Sequence, residues 1–335
     1  MARVLAAADA ITAPGGVDTL ARVELGGIPQ WISVRGRDRR NPVLLFLHGG
    51  PGFPTMPVSH RWQGPWEEYF TVVQWDQRGA GKTYAASDPA AVRPTLTIPR
   101  MIADAEELVR HLRTRYGQER IVLVGHSWGT VLGVELARRH PEWFSVYVGI
   151  GQGVDVPAQE RMGYEALLDS AARARDTVAL AELRALAPYP ERDGTMPVAK
   201  LYVERKWMRA YGGYNYQHPE GDHYADFVAM SPAYTDAEIA TLGPAIEFGF
   251  RALWPQLQAY NFWDVTELRV PVVLFHGTHD LTTPLVLAER WLDRLHAPSK
   301  ALVRFEQSAH MVMMEEPGKL FFHLVRDVRP LASRP

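Results

Sequence analysis

The stretch Ile121-Val-Leu-Val-Gly125-His126-Ser127-Trp128-Gly129-Thr130 decides how the rest of this sequence is read. Its apolar run Ile121 to Val124 is mostly β-branched, as expected for a strand buried on both faces. Gly-x-Ser-x-Gly follows at once. Val131 to Arg139 then reads as a helix, closed by His140-Pro141. A serine at so sharp a strand-to-helix turn has its hydroxyl thrust out over the sheet edge. The turn strains the backbone, and glycine on either side removes Cβ atoms that would collide. The helix behind it aims its first amides at any negative charge that develops there. Gly-x-Ser-x-Gly alone arises by chance. Between a strand and a helix it predicts an activated nucleophile, Ser127.

The same alternation extends in both directions. Leu20 to Leu25 and Trp31 to Val34 read as a hairpin turning at Gly26-Gly27. Val43 to Leu47, Thr71 to Trp75 and Val146 to Ile150 read as further strands. Between them, Ile102, Ala105, Leu108, Val109, Leu112 and Tyr116 recur at helical spacing over Ile98 to Tyr116, and Gly117 is a stop signal. From 151 to 264 the alternation ceases. That segment is helix-like with interruptions and rich in Phe, Trp and Tyr, which fits the lining of a pocket. The alternation then resumes, with Val270 to His276 and Ala301 to Phe305 as strands and Leu285 to Leu295 and Glu316 to Val328 as helices. The expected architecture is one mostly parallel twisted sheet flanked by helices. It comprises a first core part over 1–150, a mainly helical cap over 151–264 and a second core part over 265–335.

A serine nucleophile needs a base and a residue that orients it, and this architecture orders them serine, acid, histidine. Asp280, in Gly277-Thr-His-Asp280, lies just past one predicted strand. His310, in Glu306-Gln-Ser-Ala-His310, lies just past the next. Both sit at the C-terminal strand ends, where open α/β sheets place their ligands. His279 is too close to Asp280 in sequence to sit across from it. His276 falls inside a strand end, His323 falls on the last helix, and Glu306 is a weaker rival to Asp280. His48-Gly49-Gly50-Pro51-Gly52 leaves the Val43 to Leu47 strand and supplies the oxyanion-hole loop. The expected donors are the amides of Gly50 and Trp128, with Gly49 as the alternative to Gly50. Pro51 has no N–H to give.

Composition narrows the class. The 335 residues carry a formal net charge of -2, which points to neither nucleic acid nor an anionic membrane surface. There is no cysteine, so disulfides, thiolate catalysis and cysteine-ligated metal are excluded. No apolar run is long enough to span a bilayer, and the N-terminus lacks the pattern of a signal peptide, so the expected location is cytoplasmic. Gly79-Ala-Gly81-Lys82-Thr83 resembles the tail of a phosphate-binding loop, but its first glycine would fall on Asp76. The histidines fit no metal-site spacing, so neither metal nor other cofactor is expected. Serine rather than aspartate at the elbow argues against epoxide or haloalkane hydrolysis.

Together, His48-Gly-Gly-Pro-Gly52, Asp76-Gln-Arg-Gly79-x-Gly81 and Gly125-x-Ser127-Trp128-Gly129 resemble the proline iminopeptidase family, prolyl aminopeptidase-like serine peptidases of the α/β-hydrolase fold. The resemblance covers both core segments. It implies a helical cap over a Ser127–Asp280–His310 triad, the Gly50 and Trp128 oxyanion donors, no cofactor, and release of N-terminal proline from a short peptide. Asp76 to Gly81 would be a structural turn beside the site. In that family the cap holds the substrate amine with carboxylates. Glu204, in Tyr202-Val-Glu-Arg-Lys-Trp207, is the candidate here, although a solvated helix position is the plainer expectation for it. Trp207 and Gly49 are candidate substrate contacts. The elbow departs from the family's usual Gly-Gly-Ser-Trp-Gly-Ser by carrying His126 and Thr130. An esterase, a lactonase or an acyl-transfer enzyme of secondary metabolism is the competing expectation. A non-catalytic ligand-binding protein on the same scaffold is a third.

Overall fold

The computed structural model describes residues 2–216, 218 and 224–332. Its strands are β1 (Val17–Leu25), β2 (Ile28–Gly36), β3 (Val43–Leu47), β4 (Thr71–Asp76), β5 (Ile121–His126), β6 (Phe144–Ile150), β7 (Val272–Gly277) and β8 (Lys300–Phe305). They form one sheet in the order β1-β2-β4-β3-β5-β6-β7-β8. The β1–β2 hairpin and the β2–β4 pair are antiparallel. Every pair from β4 to β8 is parallel. The longer helices are α1 (Ile98–Tyr116), α2 (Trp128–Arg139), α3 (Val156–Ala174), α4 (Thr177–Ala185), α5 (Val198–Ala210), α6 (Leu242–Leu257), α7 (Leu285–Arg294) and α8 (Pro317–His323).

The side-chain alternation of a strand divides the core into two layers. Leu45 and Leu47 of β3 and Leu123 of β5 face the layer that holds Leu108 and Leu112 of α1, Leu132 and Leu136 of α2, and Trp291 of α7. Leu44, Phe46, Val122 and Val124 face the opposite layer, with Trp62, Trp66, Phe70 and Leu320 of α8. Both faces are covered, which is why the central strands read as unbroken apolar runs. The expected bounds of α1 hold because both ends are capped. The Thr97 side chain accepts from Arg100 N–H, and Gly117 closes the helix at φ 62°.

Three expectations shift. The helix after the elbow begins at Trp128 rather than Val131, because Ser127 itself is the N-cap residue. β7 begins at Val272, since Pro271 has no N–H to pair and only its carbonyl joins the sheet, accepting from Tyr147 N–H at 2.9 Å. The last predicted helix splits at Leu324, where α8 passes into a wider π turn, Leu324–Val328.

Among the described residues, no strand lies between β6 and β7, and α3 to α6 form the inserted helical cap. Lys82, from the rejected phosphate-loop look-alike, is buried and pins this cap. Its Nζ donates to Glu238 at 2.6 Å and to the Ala233 carbonyl at 3.0 Å. Arg78, in the same turn, is buried against Asp104 of α1, with Nε and Nη2 2.7 and 3.1 Å from the carboxylate. Nη2 also donates to the carbonyls of Leu25 and Gly26 in the hairpin.

Asp104→Asn keeps the shape of that carboxylate but leaves a buried guanidinium without a counter-charge. Loss of one partner from such a pair costs about 3–5 kcal/mol. The variant is expected to unfold at a clearly lower urea concentration, read by tryptophan fluorescence, and an unchanged midpoint would contradict this role.

Candidate active site

Ser127 has φ 53° and ψ −120°. Apart from glycines, only Arg175 shares a positive φ among the described residues. A non-glycine residue in such a region carries strain on the order of 1–3 kcal/mol, which the surroundings must hold in place. They do so by close approach. A Cβ at residue 125 would lie 2.5 Å from the Gly129 carbonyl oxygen, and one at residue 129 would lie 2.1 Å from the Leu47 carbonyl oxygen. Only glycines let β5, α2 and the end of β3 meet here. Ser127 N–H donates to the Ile150 carbonyl at 3.0 Å, and its own carbonyl accepts from the N–H and hydroxyl of Thr130 at 2.8 and 2.6 Å.

The candidate acid and base lie side by side. His310 Nδ1 is 2.7 Å from Asp280 Oδ2. The carboxylate is buried and well supplied with donors. Oδ1 accepts from the N–H groups of Thr282 and Thr283 at 2.8 Å each, and Oδ2 from the Thr283 hydroxyl at 2.7 Å. Burial alone pushes the Asp280 carboxyl up. The adjacent His310, then His276 and the Thr283 amide, outweigh it and hold the group below the ordinary carboxylate range. An ionised Asp280 only accepts, so His310 Nδ1 carries the proton in a neutral ring and Nε2 keeps its lone pair.

Gly151 ties the pair to the elbow. A Cβ there would lie 3.1 Å from the His310 ring and 3.4 Å from Asp280 Oδ2, and the preceding residue, Ile150, accepts the Ser127 N–H. The elbow's own His126 reaches the same histidine. Its Nε2 is 3.1 Å from the His310 carbonyl, and the two ring centroids are 4.9 Å apart. Among the described residues no hydrogen bond joins the Ser127 hydroxyl to the imidazole. Such contacts commonly tighten only when substrate is bound.

The glycine loop after β3 flanks the serine. A Cβ at residue 49 would be 3.1 Å from Ser127 Cβ. Gly50 has φ 113°, a conformation that favours glycine. Among the described residues, neither the Gly50 nor the Trp128 amide has a hydrogen-bond acceptor. Two free N–H groups beside a candidate nucleophile are the chemistry an oxyanion requires.

The cap candidates separate. Glu204 is not a solvated helix residue; it is fully buried. It forms an ion cluster with Arg205 and Glu160, and Tyr189 donates to Glu160 at 2.7 Å. Among the described residues Glu204 Oε1 has no hydrogen-bond partner. Burial raises the Glu204 carboxyl, Arg205 pulls it down, and Glu160 adds to the rise, so the net direction is up. The cluster backs onto the acid's loop. A Cβ at residue 163 would be 2.6 Å from the Leu281 carbonyl oxygen and 3.5 Å from Glu204 Oε1. Trp207 is turned to other business. Its indole donates to Glu182 at 2.8 Å and lies alongside Tyr211, so these contacts stay within the cap.

Sequence reasoning missed Tyr214. Its carbonyl accepts the His310 N–H at 3.0 Å, and its ring centroid is 5.6 Å from that of His310. The carbonyl of the preceding Gly213 accepts the Leu281 N–H at 3.0 Å. Consecutive cap residues therefore hold the loops of both base and acid. Only the unusual run of Gly212-Gly213-Tyr214 hinted at so close an approach. Among the described residues no group of His, Asp and Glu is arranged to hold a metal ion, and no helix is long and apolar enough to cross a membrane.

Known proteins resemble the chain over most of its length. The chain is 29% identical over 312 residues to a probable aminopeptidase, YbaC, of Bacillus subtilis, covering 92% of this chain and 96% of that one. It is 35% identical over 165 residues to a probable proline iminopeptidase of Streptomyces coelicolor, covering 49% of this chain and 47% of that one. Among solved structures, the proline iminopeptidase-related protein TTHA1809 of Thermus thermophilus superposes with a TM-score of 0.65 at 21% identity, covering 94% of this chain and 98% of that one. The sequence pattern of the alpha/beta hydrolase fold matches residues 42–317. A parallel sheet carrying a strained serine elbow, matched by this pattern over most of its length, makes the chain a member of the α/β hydrolase fold family.

Proposed function

We propose that this protein is a serine hydrolase that works through an acyl-enzyme, and that it acts as a proline iminopeptidase-like aminopeptidase. The observation that carries the first part is the 2.7 Å His310–Asp280 pair set beside the strained Ser127 elbow. His310 Nε2 takes the hydroxyl proton as Ser127 Oγ attacks the substrate carbonyl carbon. The carbonyl π electrons move onto oxygen, where the Gly50 and Trp128 amides stabilise the charge. The C–O⁻ collapses, the bond to the leaving group breaks, and the His310 proton passes to the departing amine. Water then attacks the acyl-enzyme with His310 again as base, releasing the acid and restoring Ser127. Asp280 fixes the ring tautomer and stabilises the transient imidazolium.

Support for the aminopeptidase part comes from relatives bearing that name and from the orphaned, fully buried carboxylate oxygen of Glu204. The Glu160–Arg205–Glu204 cluster pairs two carboxylates with one guanidinium. It therefore has negative charge to spare for a substrate ammonium, and such a partner would bring down the raised Glu204 carboxyl. A blocked or uncharged substrate would offer nothing there.

A fluorophosphonate probe should label the wild type and leave Ser127→Ala unlabelled; label persisting in the variant would remove Ser127 from the mechanism. Asp280→Asn should lower kcat on the order of 10³–10⁴-fold, because the ring then settles in the wrong tautomer.

The pH profile has a defined sign. Asp280 is held below the ordinary carboxylate range, so it stays an acceptor for the imidazole N–H at every pH above that range. An acid limb of kcat above that range should therefore not include Asp280, and a slope of two there would contradict the assignment.

Proline 4-nitroanilide should outrun its N-blocked analogue. Glu204→Gln should raise KM for the free amine by about 10–100-fold, the value of a charge-assisted hydrogen bond, while short aliphatic esters are unaffected. Equal rates on free and blocked amines would instead favour the esterase reading.

A further inference from the structure

Asp76-Gln77-Arg78-Gly79 follows β4, and the catalytic steps above leave it without a part. Its neighbours have structural tasks. Asp76 accepts from Lys82 N–H at 2.7 Å and Arg78 meets Asp104. Gln77 differs, because it contacts both of the loops that carry the candidate oxyanion donors. It is 1% exposed. Its side-chain Oε1 accepts from the Trp128 indole Nε1–H at 2.9 Å, and its Nε2–H donates to the His48 carbonyl at 3.3 Å. Its main-chain N–H faces His48 Nε2 at 3.4 Å.

This last contact fixes more than it touches. His48 is fully buried, and burial drives its pKa down to about 4, so the ring is neutral at working pH. A neutral imidazole has one donor and one acceptor nitrogen. With the Gln77 amide donating to Nε2, the ring proton lies on Nδ1, which is 2.9 Å from the Gly49 carbonyl. That carbonyl belongs to the same planar peptide as the Gly50 N–H, and in a trans unit the two point in opposite directions. Holding the Gly49 oxygen therefore aims the Gly50 amide. On the other side, Trp128 carries the second amide on its backbone while its indole is tied to Gln77.

We propose that Gln77 is the positioning residue of the oxyanion hole. Its side-chain amide spans the His48 carbonyl and the Trp128 indole and sets the separation of the Gly50 and Trp128 N–H groups, while its main-chain N–H holds the His48 ring that aims the Gly50 amide. It touches neither substrate nor reacting atoms. The inference rests on the serine-hydrolase reading above and assigns a role to a residue that reading leaves unused.

The test uses two organophosphates that differ in one atom, paraoxon (P=O) and parathion (P=S). In each, Ser127 Oγ bonds to phosphorus, 4-nitrophenolate leaves, and the serine proton passes to His310. The phosphoryl oxygen draws on the two amides, whereas sulfur is a poor acceptor and draws little. Inactivation rate constants need no knowledge of the natural substrate. Gln77→Leu loses both side-chain hydrogen bonds. Trp128→Phe loses only the indole N–H and keeps the backbone amide, so it serves if Gln77→Leu folds poorly.

Each variant should react with paraoxon about 10–100-fold more slowly than wild type, as expected for displaced oxyanion donors. Parathion rates should change by less than about threefold, because little hydrogen bonding is there to lose. The double variant should be no worse than the poorer single one, since both cut the same link. If both reagents slow in parallel, or if neither slows, Gln77 is ordinary core packing and the proposal fails. If wild type reacts with neither reagent, the serine-hydrolase reading fails first, and that outcome is distinguishable from the others.

Discussion

The left-handed backbone of Ser127 is the constraint on which the rest depends. A side chain in that conformation survives only if its surroundings leave it no cheaper alternative. Here the end of β3, the end of β5 and the first turn of α2 crowd together so closely that Cβ atoms at 125 and 129 would overlap main-chain atoms. The hydroxyl is presented at the sheet edge because the strand cannot continue and the helix cannot begin sooner. The same crowding brings the glycine loop after β3 against Ser127, beside the Trp128 amide at the start of α2. The strain at Ser127 and the placement of the candidate oxyanion donors are thus consequences of a single packing event.

Much of this was legible in the sequence because it is local. Strands buried on both faces must be apolar throughout, so Val43–Leu47 and Ile121–Val124 could be read directly. α1 declared its ends through Thr97 and Gly117, which cap by chemistry confined to one turn. The pairing of Asp280 with His310 could be anticipated because strand ends and chain order restrict where a candidate acid and base can stand. Positions set by tertiary contact were not legible. Glu204 reads as an ordinary charged helix residue, and nothing nearby in sequence announces that it is buried against Arg205, which in turn pairs with Glu160 and through it with Tyr189. Trp207 reads as a pocket aromatic, yet the turn of α5 gives its indole to Glu182.

The segment with the least readable purpose was Asp76 to Thr83, which looked like a failed phosphate loop. Its residues point in different directions and serve different neighbours. Arg78 reaches α1 and the hairpin, Gln77 reaches the two oxyanion loops, and Lys82 reaches the cap. Three buried polar anchors in one short turn explain why its composition is so unlike a surface loop. A buried polar group must find its partners, and a turn that satisfies three of them becomes a junction between otherwise separate elements.

The cap is therefore not a separate body resting on the sheet. It is tied to the core on one side by Lys82 with Glu238 and by Tyr234 with Asp76. On the other side the carbonyls of Gly213 and Tyr214 accept from Leu281 and His310, the loops of the candidate acid and base. The second pair of ties has a chemical consequence that the first does not. Any displacement of Gly213 and Tyr214 pulls on the main chain of His310 and on the residue after Asp280 together, whereas Ser127 is held by the sheet and by α2. Ser127 is thus held by the core, while the candidate base and acid, His310 and Asp280, are held jointly by core and cap. A displacement of these cap residues would then act on the placement of the imidazole, because the Gly213 and Tyr214 carbonyls hold both the candidate acid's loop and the candidate base through backbone hydrogen bonds.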